Sequence, residues 1–266
     1  MDQKIFSPSV STKGPSRQDN NKVEYRKLLA RFRQFLAEED KFYVQLLIRF
    51  RTQFELNDTH EALVKAGVIS TDPKPESSRN IFPQDKSPPP ASESERYSRL
   101  NTFVKLLVCL GDIARYREQY NDGRGRPRAG HEYEPAKPAG HKGKKGAQEN
   151  IRPRNYSRAQ AIYEQARLLV PDDGNASHQL AILAAYQKDS FSALLNYYRA
   201  LCVRQPYDTA TNNLNTVLRK ALEQFRASRK ADQKSEDIRR VPKFRVDRFK
   251  EWVVVLHALC YIDPDP

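Results

Sequence analysis

Residues 158–171 read RAQAIYEQARLLVP and residues 192–206 read SALLNYYRALCVRQP. Ala159, Tyr163 and Ala166 of the first stretch return 34 positions later as Ala193, Tyr197 and Ala200, and Pro171 is answered by Pro206. Small residues three and four positions either side of an aromatic lie on one helix face. That face can approach a neighbouring helix closely while the ring fills the gap beside it. A proline just past the last small residue then stops the helix. The fold implied is therefore all-α and made of paired helices.

The 34-residue period and the A-x3-Y-x2-A spacing are those of the second helix of a tetratricopeptide-type hairpin. The first helix of such a hairpin places a small residue twelve positions before the first Ala of the pattern, and Ala181 in HQLAILAAY holds that place ahead of Ala193. For the earlier repeat the matching small residue is Gly111 in LVCLGDIARYREQY (107–120), which lies 48 positions before Ala159. The 36 additional residues equal about the length of NDGRGRPRAGHEYEPAKPAGHKGKKGAQENIRPRN (121–155), rich in Gly, Pro and Lys/Arg. Residues 107–120 and 156–170 thus read as two helices of one hairpin with a disordered insertion at their turn, where added length costs little closure entropy.

Working outward, residues 22–56 carry Leu28, Phe32, Phe35, Phe42, Leu46, Phe50 and Phe54 at three- and four-residue steps, with Leu29, Leu36, Tyr43 and Leu47 beside them. This predicts one long amphipathic helix whose other face, with Arg26, Lys27, Arg31, Arg33, Arg49 and Arg51, reads as solvated. A short helix is expected over 59–68, a disordered Pro/Ser-rich excursion over about 70–95, further helices over 208–226 and 244–261, and disorder over 1–21. The domain expected is 22–227, with 228–266 as the truncated start of a following helical-hairpin region. The apolar face of the last helix needs a neighbour.

The 266 residues include 17 prolines and have a mean hydropathy of −0.80, so the ordered core is smaller than the length implies. Lys and Arg outnumber Asp and Glu 46 to 33, a net charge of +13 that favours phosphate-bearing partners. Cys109, Cys202 and Cys260 each sit inside an apolar helical pattern, without CxxC, and read as buried small hydrophobes of a reducing compartment. No segment approaches the ~20 apolar residues that span a bilayer, and none resembles a signal peptide. The reading is a soluble intracellular protein.

The five histidines form no ligand spacing, and GxxxxGK[ST] and GxSxG motifs are absent, so no metal, cofactor or catalytic residue is expected. Recognition remains. Arg115, followed by Tyr116, can present its planar fork to a phosphate, with the tyrosine hydroxyl adding a donor. It can equally pair with Asp112 or Glu118 on the helix surface. Arg124, Arg126, Arg128, Lys142, Lys144 and Lys145 of the insertion form a basic segment able to touch nucleic acid, or simply a solvated loop, and HKGKKG is a short nuclear-import-like pattern.

The stretches FLAEEDKFYVQLLIRF (35–50), CLGDIARYREQY (109–120) and the run 158–214 resemble the telomerase-activating and nonsense-mediated mRNA decay adaptors of the ever-shorter-telomeres/SMG type, the fungal SMG-seven-like branch in particular. The resemblance implies a 14-3-3-like domain of tetratricopeptide-type hairpins in a right-handed superhelix. It also implies an adaptor of the nucleus and cytoplasm. Implied partners are a phosphorylated protein of mRNA surveillance, telomerase RNA or telomeric DNA, and a related adaptor as heterodimer mate, with no membrane. Gly111-Asp112-x-x-Arg115-Tyr116 is similar to a stretch of 14-3-3 proteins, which implies that Arg115 and Tyr116 contact phosphoserine. Two departures are visible. No A-[FY]-K-N pattern, which in the family brings a second basic residue to the phosphate, precedes Val23, and His178-Gln179-Leu180-Ala181 stands where relatives read N-Q-L-A.

Overall fold

A computed structural model describes residues 17–70, 92–121, 154–232 and 246–262. The described residues form eight helices and no strand: α1 (Arg17–Gln53), α2 (Thr59–Lys65), α3 (Glu93–Gln119), α4 (Ser157–Leu169), α5 (Gly174–Tyr186), α6 (Ser190–Leu201), α7 (Thr209–Asp232) and α8 (Val246–Ile262). The ends follow local chemistry. Ser92 and Glu95 form a reciprocal capping box at the start of α3, and Asp173 and Asp189 accept from Asn175 N (2.8 Å) and Ser192 N (3.0 Å) to cap α5 and α6. Lys188 takes φ +62° in the tight turn between α5 and α6.

Each helix packs on its neighbours in the chain, α1 on α3, α3 on α4, α4 on α5, and so on to α8, with α2 against α4 and α8 also against α6. Arg33 of α1 bonds the carbonyl of Tyr120 after α3, whereas Phe50 near the other end of α1 meets Phe103 near the start of α3. The two helices are therefore antiparallel. The core divides in two. One cluster joins α1 to α5 around Leu47, Leu63, Phe103, Leu107, Leu110 and Tyr163, and the second joins α5 to α8 around Leu194, Tyr197, Leu214 and Leu218. Helix α5 serves both, giving Ala176, Leu180 and Leu183 to the first and Ala181 and Ala184 to the second.

The hairpin reading across the insertion holds. A Cβ on Gly111 would stand 2.4 Å from Cε1 of Tyr163, so glycine is what lets α3 and α4 approach. The backbone N–H of Asn155, just before α4, donates to Glu118 Oε1 at 2.6 Å, bringing the two ends of the intervening segment together. Gly174 plays the same part at the start of α5: a Cβ there would lie 2.2 Å from the carbonyl oxygen of Ala200.

Three expectations need correction. Helix α1 starts at Arg17, inside the stretch 1–21 expected to be unstructured. Its buried line runs through Leu36, Asp40 and Leu47, with Phe50 and Phe54 partly buried against the core, while Leu28, Phe35 and Phe42 of the same series are exposed. The cysteines are not uniformly buried. Cys109 is half-buried, and Cys202 and Cys260 are exposed, the former because it caps α6 beyond its packed turn and the latter because α8 turns it away from Val254 and Ala258. Residues 1–16, 71–91, 122–153, 233–245 and 263–266 lie outside the described residues. The disorder expected over most of 1–21, 70–95 and 121–155 therefore falls there. The neighbour-seeking face of α8 is present as exposed Phe249, Trp252, Leu256 and Leu259.

Candidate functional site at the α3–α4 hairpin

The last turns of α3 carry a connected polar group inside an apolar frame. Arg115 is 7% exposed. Its Nη2 donates to Asp112 Oδ1 at 2.9 Å and its Nε to the Tyr163 hydroxyl at 3.3 Å, while that hydroxyl donates to the same Asp112 oxygen at 2.6 Å. Tyr116 lies beneath, its ring centroid 4.4 Å from the guanidinium carbon, a cation–π contact that fixes the plane of the fork. Tyr116 is itself 37% exposed and leans on Tyr120 at 6.4 Å, so it forms the rim of the group.

Helix spacing explains the pairing. Asp112 and Arg115 are i and i+3 on α3, and Tyr163 reaches them because it sits opposite Gly111 on α4. Of the two sequence readings, the i,i+3 pair with Asp112 is thus formed, and Glu118 instead accepts from Asn155. Burial works against the charge on Arg115, but Asp112 and Tyr163 outweigh it and hold its pKa above the ordinary arginine range. Burial, then Asp112, pushes the Tyr163 hydroxyl up, so it remains a donor. The Nη1 of Arg115 makes no hydrogen bond with the described residues.

His178 of α5 belongs to the same neighbourhood. It is 3% exposed, with its ring 4.6 Å from that of Tyr207 and 5.8 Å from that of Tyr197, and its Nδ1 has no hydrogen-bond partner among the described residues. Burial, and then the positive charge of Arg115, lowers its pKa to about 4, with Asp112 opposing, so the imidazole is neutral at neutral pH. Sequence reasoning noticed this position only as a departure from N-Q-L-A.

A second polar group was missed. Asp40, 12% exposed in its side chain, receives Arg117 Nη1 at 2.9 Å and Arg158 Nη1 at 3.0 Å, tying α1, α3 and α4 together. The only signal was its position in line with Leu36 and Leu47. Arg33, assigned to the solvated face, likewise bonds the Tyr120 carbonyl at 2.6 Å. Arg124, Arg126, Arg128, Lys142, Lys144 and Lys145 lie outside the described residues. No group of His, Cys, Asp and Glu among the described residues could hold a metal, and no described helix is long and apolar enough to cross a membrane.

Over its described residues the chain is thus an all-α array of antiparallel helical hairpins, with Arg115 held in a buried polar group at the α3–α4 pair. Two family profiles match it: telomerase activating protein Est1 over residues 3–121 and Est1 DNA/RNA binding domain over residues 159–266. The chain belongs to the telomerase-activating and nonsense-mediated mRNA decay family. It is 29% identical over 216 residues to nonsense-mediated mRNA decay factor SMG7 of Arabidopsis thaliana, covering 79% of this chain and 16% of that protein. It is 28% identical over 216 residues to SMG7 of Danio rerio (81% of this chain, 14% of that protein). Telomerase-binding protein EST1A of the same fish is 28% identical over 144 residues (54% and 7%). The chain thus spans less than a fifth of the length of these curated relatives. The interval between the two profiles, 122–158, coincides with the basic segment read as an insertion and cuts across the α3–α4 hairpin.

Proposed function

We propose that this chain is an adaptor of nonsense-mediated mRNA decay, acting in nucleus and cytoplasm, that recognises a phosphorylated segment of a decay factor at Arg115 and Tyr116. The observation that carries the reading is the state of the Arg115 fork. Its plane is fixed by Tyr116 and its Nε and Nη2 by Tyr163 and Asp112, while Nη1 makes no hydrogen bond among the described residues, so a phosphate oxygen arriving at the Tyr116 rim meets a donor already oriented. The excess of 46 basic over 33 acidic residues supports the same sign of partner.

Charge-assisted hydrogen bonds contribute roughly 1.5–3 kcal/mol each, so a phosphate on an otherwise identical peptide should raise affinity about 10- to 100-fold. Fluorescence anisotropy with a phosphorylated peptide and its unphosphorylated twin measures this directly. Arg115→Lys keeps the charge but loses the fork, and it should remove most of the difference while circular dichroism confirms the fold. Equal affinities for the two peptides on the unaltered chain would sink the reading.

The match of residues 159–266 to the Est1 DNA/RNA binding domain favours a second reading, a telomerase-associated protein that binds DNA or RNA. That match begins after the basic segment, so the contacts would lie on α4–α8 instead of on Arg124–Lys145. Binding of single-stranded RNA should then fall with log salt at about −0.7 per phosphate neutralised and persist when 124–152 is deleted. Loss on deletion would return the contacts to the segment.

A further inference from the structure

A pocket of about 260 Å³ lies between α4, α5 and α6. Its walls are α4 (Gln160, Glu164, Arg167) and α6 (Ser192, Leu195, Asn196, Arg199), and its floor is Leu180, Leu183 and Ala184 of α5. Short links make α5 antiparallel to both α4 and α6, so α4 and α6 run the same way. Arg167 and Arg199 therefore share one end of the pocket with Leu180, and Gln160, Ser192 and Asp189 share the other. From Gln160 to Arg167 is seven residues of helix, about 10 Å at 1.5 Å per residue.

Among the described residues neither arginine makes an ion pair, Arg199 has only a 3.5 Å contact to Asn196, and the buried Nε of Arg167 has no hydrogen-bond partner. The acids lining the pocket are hydrogen-bonded to its own polar residues: Glu164 accepts from Gln160 at 3.0 Å, and Asp189 accepts from Ser192 N and Oγ at 3.0 and 2.7 Å. Leu195 is 42% exposed at the mouth, above buried Leu183. The pocket thus has a cationic end, a middle with an apolar floor and Glu164 on its α4 wall, and a far end that carries Asp189.

We infer that this pocket is a docking site for an extended acidic peptide, which sets an acidic side chain between Arg167 and Arg199 and an aliphatic side chain, two residues along, on Leu183 and Leu195. Extended chain advances roughly 3.3 Å per residue and side chains at i and i+2 share a face, so the two fall ~6.6 Å apart within the ~10 Å available. The carboxylate supplies the anionic partner that Arg167 and Arg199 lack among the described residues, and the pocket is small for a drug-sized ligand but suited to two side chains. A nucleic-acid strand fits less well. Its phosphates would continue past the arginines and meet Glu164 in the middle and Asp189 at the far end. This site is separate from the Arg115 group, because Asp112, Arg115, Tyr116 and Tyr163 are not among the residues that line it.

The test uses the full chain and a fluorescein-labelled peptide containing Asp-Glu-Leu-Leu twice, read by anisotropy. Arg167→Glu combined with Arg199→Glu should weaken binding at least tenfold, with an unchanged melting curve as the control for folding. Leu195→Ser should weaken it severalfold, and an excess of a phosphoserine peptide without Asp or Glu should not displace it, which separates this site from the phosphate reading. A control peptide with Asn and Gln for its acids should not bind. Equal binding of that control, or equal binding to the double variant, overturns the assignment, as does a single-stranded RNA that binds in an Arg167/Arg199-dependent way while the acidic peptide does not.

Discussion

Gly111→Ala is the sharpest probe of the α3–α4 hairpin. The added Cβ would stand 2.4, 2.7 and 3.0 Å from Cε1, Cδ1 and Cζ of Tyr163, whereas carbon pairs settle near 3.5–4.0 Å. More than an ångström must open between two helices in register. Tyr163 cannot give way easily, since it is fully buried and its hydroxyl is held by Asp112 at 2.6 Å and Arg115 at 3.3 Å. Overpacking of this kind costs roughly 1–3 kcal/mol, and displacing the hydroxyl adds about 1 kcal/mol. Against this, alanine stabilises a helix by about 1 kcal/mol relative to glycine. The net expectation is a loss of about 1–3 kcal/mol, read as a lowered urea midpoint at unchanged slope. In a Tyr163→Leu background the ring is gone, so the same Gly111→Ala change should cost nothing or stabilise by up to about 1 kcal/mol. A neutral Gly111→Ala in the unaltered chain, or an equal cost in both backgrounds, would refute the close approach and with it the pairing across the insertion.

Other expectations follow from the same group of helices. Because His178 has a folded pKa of about 4 against roughly 6.5 unfolded, the unfolded chain binds the extra proton between these values, and stability falls as pH drops from 6.5 toward 4. The loss reaches up to about 3 kcal/mol; denaturation midpoints at pH 7.5 and 4.5 should converge for His178→Phe relative to the unaltered chain. Asp40→Ala sets the Arg117 and Arg158 guanidiniums side by side without the carboxylate between them, at a cost of about 3 kcal/mol measurable by chemical denaturation. Replacing residues 122–153 by a short Gly/Ser linker shortens the closed loop about fivefold and should stabilise the chain by roughly 1.4 kcal/mol, because Glu118 and Asn155 already hold its ends together. A fall in melting temperature on that deletion would mean the segment contributes packing of its own.

Much of the fold was legible because its determinants are local. The A-x3-Y-x2-A pattern, the prolines behind it and the small residues Gly111 and Ala181 are steric facts about helices that must pack closely, and the structure buries Ala159, Tyr163, Ala166, Ala193, Tyr197 and Ala200 where the period places them. The family was suggested by the resemblance of residues 35–50, 109–120 and 158–214 to its members. The candidate site was legible in identity but not in state: the motif pointed to Arg115 and Tyr116, while the pairing of Arg115 with Asp112 and Tyr163 depends on a residue 48 positions away in the chain.

The sequence by itself determined that the chain is helical, where most helices begin and end, and which small residues mark the hairpins, because capping, periodicity and steric size act within a few residues. Only the tertiary structure decided which face of α1 is buried, that Asp40 is the hub for Arg117 and Arg158, that Cys202 and Cys260 point outward, and that His178 is neutral beside Arg115. Each of these turns on desolvation or on a charge brought from a distant segment. Neither quantity exists until the helices have chosen their neighbours.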